Sequence, residues 1–241
     1  MLKKINIIDL FLVLAIIAAV LLYNFAQRKF QTRVVDSINV ELTSVNNHFI
    51  TQKMVENLLK HNFPSTSKVL VEDLDLNKLE SELLKNEMIE DAEVYLSVDG
   101  ILHAVVKQKT ALARMLKNNS SYYLDTKGNA MPLSKEFSAH VPVVSGKVPK
   151  KKTEEFLYLL TKIKEDEFLK NSIYGINILP DNSVKLFVRE YNYDIEFGHL
   201  NEIDKKIQNY KAFVHYAQQD TLISHYTNIN LRFTQQVICT K

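Results

Sequence analysis

Apolar residues run almost without interruption through the start of the chain. Every side chain from Leu10 to Tyr23 is aliphatic or aromatic. Extended to Ile5 and Ala26, and rising about 1.5 Å per residue, a helix of this length reaches roughly 30 Å, the thickness of a bilayer's hydrocarbon core. Asp9 lies near one end of the run, where it can reach headgroups and water. The pattern predicts a single membrane-spanning helix over residues 5–26, preceded by a short tail of residues 1–4.

A cleaved signal peptide is the alternative interpretation of this segment. Lys3 and Lys4 would form its basic region, but the nearest cleavage site would place Asn24 and Ala26 at positions that require small residues. An uncleaved anchor is therefore favoured. Basic residues flank both ends of the run, with Lys3 and Lys4 before it and Arg28, Lys29 and Arg33 after it. The positive-inside count therefore leaves the orientation open.

Beyond a basic stalk of residues 27–35, the spacing of apolar residues changes twice. Ile38, Val40 and Leu42 alternate with polar residues, which is the period of a half-buried strand. Two amphipathic helices follow, each preceded by a residue suited to capping its N-terminus, Thr51 for the first and Asp75 for the second. The first helix is expected to end at Phe63-Pro64-Ser65, and leucines 76, 79 and 83 share one face of the second.

Residues 91–108 form a hairpin whose register the apolar pattern decides. Asp99-Gly100 marks the turn. A two-residue loop would put apolar residues on both faces of the hairpin, whereas the three-residue loop Val98-Asp99-Gly100 makes one face wholly apolar. Burial specifies register strongly, so the three-residue loop with a left-handed Gly100 is predicted. The face it creates comprises Ala92, Val94, Leu96, Leu102, Ala104 and Val106.

The order strand, helix, helix, strand, strand over residues 36–110 is that of a POTRA module. A single N-terminal anchor followed directly by such a unit resembles the bacterial division proteins of the FtsQ/DivIB family. The line from Leu84 to Val94 resembles the family's passage from helix to hairpin, with Glu87-Met88 where the family often has proline and an aromatic residue. Residues 122–128 and 141–146 resemble the opening of the family's β domain.

The β domain is expected over residues 111–241. The prolines near 132 and 142 predict edge or short strands. The elements predicted after them are a helix capped by Thr153 and ending near Leu169, strands at 176–179, 184–189 and 193–197, a helix at 201–218 and a last strand at 227–240. The predicted fold class is thus α+β: one transmembrane helix, a POTRA-like βααββ module and a mostly antiparallel β domain with two helices.

Composition narrows the function. The chain of 241 residues is 46% hydrophobic and 24% charged with a net charge of +2, which is ordinary for a globular protein and gives no sign of nucleic-acid binding. Cys239 is the single cysteine, the seven histidines have no metal-ligand spacing, and no two of the five glycines are close enough to cradle a phosphate. We therefore expect no catalytic residues, cofactor, metal or small-molecule substrate.

The end of the chain carries the candidate site. Residues 227–240 alternate between an apolar and a polar face, which on its own indicates an ordinary terminal strand. Asn230-Leu231-Arg232-Phe233, however, resembles the Asp-Leu-Arg-Tyr line of FtsQ. The resemblance implies an edge strand that receives the small membrane protein FtsB, which travels with FtsL. The candidate partner-binding residues are Asn230, Arg232, Phe233, Thr234, Gln235, Gln236 and Val237, with Phe233 expected to hold the strand on its core.

The resemblance implies a non-enzymatic, single-pass scaffold of the divisome in the bacterial inner membrane. Its N-terminus would lie in the cytoplasm and its soluble part in the periplasm at the septum. It would link FtsB-like, FtsL-like and other divisome proteins to cell-wall synthesis. A membrane-tethered periplasmic enzyme or envelope sensor on a similar sheet is the alternative, and a pocket with convergent polar groups would favour it.

Overall fold

The computed structural model describes residues 7–31, 34–43, 48–63, 69–117, 120–219 and 222–241. The chain divides into two compact units. One comprises Met1–Val45 and Ile50–Gln108, and the other comprises Asn46–Phe49 and Lys109–Lys241.

The first helix, α1 (Ile7–Gln31), extends past the predicted span into the predicted stalk. The predicted tail of residues 1–4 and the first two residues of the predicted span lie outside the described residues. No helix in the described ranges is long and apolar enough to cross a membrane.

The rest of the first unit has the predicted βααββ order. Its sheet has the order β1-β3-β2, in which β1 runs parallel to β3 and the β2–β3 pair is antiparallel. The elements are β1 (Ser37–Leu42), α2 (Gln52–His61), α3 (Leu76–Leu84), β2 (Ile89–Leu96) and β3 (Ile101–Gln108). The helices begin where the sequence predicts, because Thr51 Oγ1 accepts from the Met54 amide at 3.3 Å and Asp75 Oδ1 accepts from the Lys78 amide at 3.0 Å. Residues 64–68, which include the end of the predicted helix-terminating Phe63-Pro64-Ser65, lie outside the described residues.

The predicted register of the β2–β3 hairpin is confirmed. Leu96 lies opposite Leu102, and the Ser97 amide donates to the Ile101 carbonyl at 3.0 Å. The loop is thus Val98-Asp99-Gly100, and Gly100 has a φ of 92°. The apolar face packs against buried leucines of α2 and α3, which accounts for the single core of this unit.

The second unit is built on a nine-stranded sheet with the order β12-β11-β10-β9-β8-β7-β4-β5-β6. Its strands are β4 (Ala111–Lys117), β5 (Ser120–Asp125), β6 (Ala130–Met131), β7 (Val143–Ser145), β8 (Ile173–Ile178), β9 (Val184–Val188), β10 (Asp194–Gly198), β11 (Asn228–Asn230) and β12 (Ile238–Thr240). Three helices contribute apolar residues to the same core: α4 (Thr153–Glu165), α5 (Glu167–Ser172) and α6 (Ile203–Gln219).

Two neighbouring strands inside this sheet, β4 and β7, differ from expectation. The strand β4 was not predicted, because its start is buried on successive residues and so lacks the alternation of a half-buried strand. The strand β7 is short, as Pro142 implies, but it lies inside the sheet, parallel to both β4 and β8. The proline precedes the strand, and its carbonyl accepts from the Arg114 amide at 2.9 Å.

The predicted helix from Thr153 to Leu169 is wrong in two respects. Thr153 is the first helical residue instead of the cap, and its hydroxyl donates back to the Lys150 carbonyl at 3.2 Å. The helix also stops at Glu165, because the Asp166 carboxylate accepts from the Leu169 amide at 3.1 Å and caps the separate helix α5. A short acidic side chain in the middle of a helical pattern can offer the backbone this alternative.

Candidate functional site

The candidate site lies on the last two strands of the chain. The predicted continuous strand over residues 227–240 is wrong. The chain forms β11, bends at residues 232–235 and returns as β12, an arrangement we call the C-terminal hairpin (residues 228–240). The strand β11 runs parallel to β10, and β12 pairs antiparallel with β11 at one end of the sheet.

Two hydrogen bonds mark the point after Asn230 where the chain turns out of β11. The Leu231 amide still donates to the Glu196 carbonyl at 2.9 Å, which completes the pairing with β10. Asn230 Oδ1 then accepts from the Arg232 amide at 2.9 Å, a local side-chain bond that turns the backbone. Neither glycine nor proline occurs in residues 231–237, so the usual turn signals are absent from this sequence.

The loop of the C-terminal hairpin is held by Asn209 of α6 and by Glu202, the residue just before α6. Asn209 Nδ2 donates to the Thr234 carbonyl at 3.0 Å, and the Thr234 side chain is close enough to the Glu202 carboxylate to help lower its pKa. Glu202 also accepts from Lys205 Nζ at 2.5 Å. The bond from Lys205 and its positive charge, followed by the Thr234 side chain, hold the pKa of Glu202 below its usual value.

The end of β10 approaches the loop closely at Gly198. This glycine has a φ of 75°, and a Cβ built on it would lie 2.9 Å from Arg232 Cγ. Any larger residue would meet both a strained backbone and the loop itself. Gly198 therefore allows the C-terminal hairpin to pack against the corner between β10 and α6.

The structure brings all seven predicted site residues to this hairpin. Asn230 ends β11, Gln236 and Val237 lead into β12, and the other four form the bend: Arg232, Phe233, Thr234 and Gln235. The expected role of Phe233 in the core is wrong, because its side chain is 53% exposed. Ile229 and Leu231, at 0% and 1% exposed, hold the hairpin on the core instead.

Arg232 has a partner within the chain. Its Nε lies 3.4 Å from Glu196 Oε2, and both side chains are partly exposed. An exposed ion pair of this kind contributes about 0–1 kcal/mol to stability, so a carboxylate from another protein can compete for the guanidinium.

The sequence did not identify the residues that shape the loop, nor one exposed apolar residue of the hairpin. Glu196, Glu202 and Asn209 lie far from it along the chain, and no pattern in the sequence links them to it. Ile238, which is 42% exposed in β12, was not among the predicted site residues. The one available signal was Asn230, two residues before Arg232, where an asparagine favours a turn.

The hairpin offers backbone pairing and side-chain contacts, the means by which sheets bind peptides. Outside Thr227, which neighbours β11, no described side chain bonds to the backbone of β12. Within the described ranges, no group of three histidine, cysteine, aspartate or glutamate side chains is placed to hold a metal ion.

Two family models match different parts of the chain. Residues 33–107 match a POTRA-like domain model, and residues 110–240 match the family model FtsQ/DivIB, C-terminal related. No curated protein matches the chain. Among solved structures, the chain is similar to the major extracytoplasmic domain of the trans isomer of the bacterial cell division protein DivIB from Geobacillus stearothermophilus. The identity is 14%, the match covers 46% of this chain and 95% of that one, and the TM-score is 0.33. The family model covers more than half of the sequence, and the chain belongs to the FtsQ/DivIB family of cell division proteins.

Proposed function

We propose that the chain is a non-enzymatic, single-pass membrane scaffold of the divisome that recruits FtsB-like and FtsL-like partners and links them to septal cell-wall synthesis. In this proposal residues 1–4 are a cytoplasmic tail, 5–26 the transmembrane helix and 27–35 a stalk. Residues 36–110 form the POTRA-like domain and 111–241 the FtsQ-type β domain, both in the periplasm at the division septum. Family membership supports divisome partners in general.

The position of β12 carries the proposal about partners. It ends the sheet order, and among the described strands it pairs with β11 alone. An edge strand presents backbone N–H and C=O groups to which an extended segment of another protein can add as a further strand. Such pairing supplies affinity with little dependence on sequence.

Side chains beside that edge would supply the choice of partner. Phe233 and Ile238 offer exposed apolar surface, and exposed aromatic residues are frequent anchors in interfaces. Arg232 would exchange Glu196 for a carboxylate of the partner, and charge-assisted bonds of this kind favour one partner over another.

Capture from membranes tests this proposal. Full-length chain carrying Phe233→Ser should capture much less of its small single-pass partners than the unmodified protein does. Its melting temperature should stay near that of the unmodified protein, because the ring is already exposed. Val98→Ser is the matched control: Val98 is 78% exposed in the β2–β3 loop, and its loss should leave capture unchanged. Equal capture by both variants would contradict a binding role for the hairpin.

The orientation has its own test. Because the proposed partners meet the β domain outside the cytoplasm, alkaline phosphatase fused after Lys241 should be active in cells. An inactive but stably expressed fusion would place the β domain in the cytoplasm and contradict the proposed location.

A further inference from the structure

A cavity of about 390 Å³ lies in the second unit, apart from the C-terminal hairpin. Its walls come from the start of β4, the segment before β7, the last turn of α4 and α5. The volume is within the range of about 300–1,000 Å³ typical of small-molecule sites. Ala111, Leu112, Phe137, Val141, Pro142 and Ile163 form the apolar part of the lining.

The polar part of the lining is basic. Lys164, Lys170 and His140 line the cavity, and no aspartate or glutamate is among its described lining residues. Lys164 Nζ donates to the Ala111 carbonyl at 3.2 Å, which uses one of the three N–H bonds of the ammonium group. In the described part of the chain, no carboxylate forms an ion pair with Lys164.

The second lysine is only weakly compensated. Lys170 Nζ lies 3.8 Å from Glu167 Oε2, and both side chains of this pair are accessible to solvent, Lys170 at 43% and Glu167 at 80%. Burial lowers the pKa of Lys164, and the positive charge of Lys170 lowers it further. Lys164 is therefore a partly desolvated cation beside a second, partly exposed cation, and no acidic residue is among the described residues that line the cavity.

A purely structural role explains only part of this arrangement. The bond from Lys164 to Ala111 joins α4 to β4, and a cation in the last turn of α4 complements the helix dipole. Neither effect requires Lys170 at the same cavity or apolar residues in the same lining.

We propose that this cavity binds a small amphipathic anion, with a carboxylate or phosphate group between Lys164 and Lys170 and a short apolar group against Leu112, Phe137 and Ile163. An anion would neutralise the two cations, and the apolar group would be removed from water. The site is independent of the proposed partner-binding surface, so either can fail without the other.

Titration with matched small molecules tests the proposal. The probes are phenylacetate, phenyl phosphate, the neutral phenylacetamide and acetate, added to the full chain in an uncharged detergent. Binding is followed through the NMR methyl signals of Ala111 and Ile163. At least one of the aromatic anions should bind, and phenylacetamide and acetate should each bind at least tenfold more weakly. Comparison of the two anions separates carboxylate from phosphate. If phenylacetamide binds as tightly as the aromatic anions, the ionic part of the proposal is wrong. If acetate binds as tightly, the apolar part is wrong. If neither aromatic anion binds, the whole proposal is wrong.

Lysine variants locate the site. Lys170→Met and Lys164→Met should each weaken anion binding at least tenfold, and Lys170→Met keeps the Ala111 bond, so its fold should melt at an unchanged temperature. Lys162→Met is the control on the same helix, because Lys162 pairs with Asp204 at 3.4 Å and does not line the cavity. Unchanged affinity in a folded Lys170→Met protein, or an equal loss in Lys162→Met, would overturn the assignment.

Discussion

In each unit a hairpin forms one end of the sheet, but the backbones of the two outer strands differ in how far side chains bond to them. In the first unit β2 is an edge strand, and side chains bond to its backbone: Glu80 of α3 accepts from the Val94 amide at 2.8 Å, and Asp91 accepts from the Ala92 amide at 3.0 Å. In the second unit β12 is an edge strand without such contacts from the described residues beyond Thr227. Covered edges resist pairing with other chains, whereas open edges permit it.

The source of stability differs as well. The strands β2 and β3 have eight residues each and bury a continuous apolar face, in which Val94, Leu102 and Val106 are at most 4% exposed. The strands β11 and β12 have three residues each, and polar contacts from β10 and α6 fix the loop between them. The first hairpin is therefore part of a core, and the second is a surface feature positioned by its neighbours.

The largest effect should follow from a charge in the buried hairpin. Val94→Asp places an unpaired carboxylate in the core of the first unit and should destabilise that unit by about 3–5 kcal/mol. Hydrogen exchange of the β2 and β3 amides measures the loss within the full chain.

His103→Asp is the control in the same hairpin. His103 lies on the opposite face, where its ring stacks on Tyr95 at 5.0 Å, so this change should cost about 1 kcal/mol or less. Equal destabilisation by the two substitutions would contradict the buried face on which the comparison depends.

The first hairpin was predictable because all of its determinants are local. Asp99-Gly100 supplies the turn, and the alternation on both sides leaves one register in which one face of the hairpin is wholly apolar. The order of elements and most helix starts follow from the same kinds of signal. Thr153 shows the limit, since a residue suited to capping lies inside the helix when its hydroxyl bonds the preceding turn.

A moderate effect is expected from releasing the C-terminal loop. Asn209→Ala removes the bond to the Thr234 carbonyl and should cost about 0.5–1.5 kcal/mol. The loss should appear as faster exchange in residues 231–237, with the β2–β3 amides unaffected. Gln208→Ala, at the exposed neighbouring position of α6, serves as the control, and an equal effect there would show that α6 as a whole had been weakened.

A smaller, pH-dependent effect is expected at Glu202. The folded pKa of this group is lowered, so its contribution is present above the unfolded value of 4.5 and is lost as the pH falls through the lower, folded value. The NMR signals of Thr234 should therefore titrate below pH 4.5. In Glu202→Gln the carboxylate is absent and this titration should disappear. Its persistence would assign the response to another acid.

The C-terminal hairpin was not predictable because its determinants are distant in sequence. Alternation over residues 227–240 is compatible with one strand, and apart from the local bond between Asn230 and the Arg232 amide, the contacts that hold the bend come from Glu196, Glu202 and Asn209. Those residues become neighbours of the loop only when β10, α6 and β11 have assembled. The exposure of Phe233 is a consequence of that bend, so the alternating pattern assigned it to the wrong environment.

Photo-cross-linking at the two edges of the large sheet tests the open edge most directly. A photoreactive residue at Thr240 of β12 and another at Ala130 of β6 occupy exposed positions on opposite ends of the same nine-stranded sheet. In dividing cells that produce the full chain, the Thr240 probe should cross-link to a small single-pass membrane protein, and the Ala130 probe should not. Absence of a cross-link from Thr240 in cells where that partner still co-purifies with the chain, or equal cross-linking from both positions, would contradict partner binding at β12.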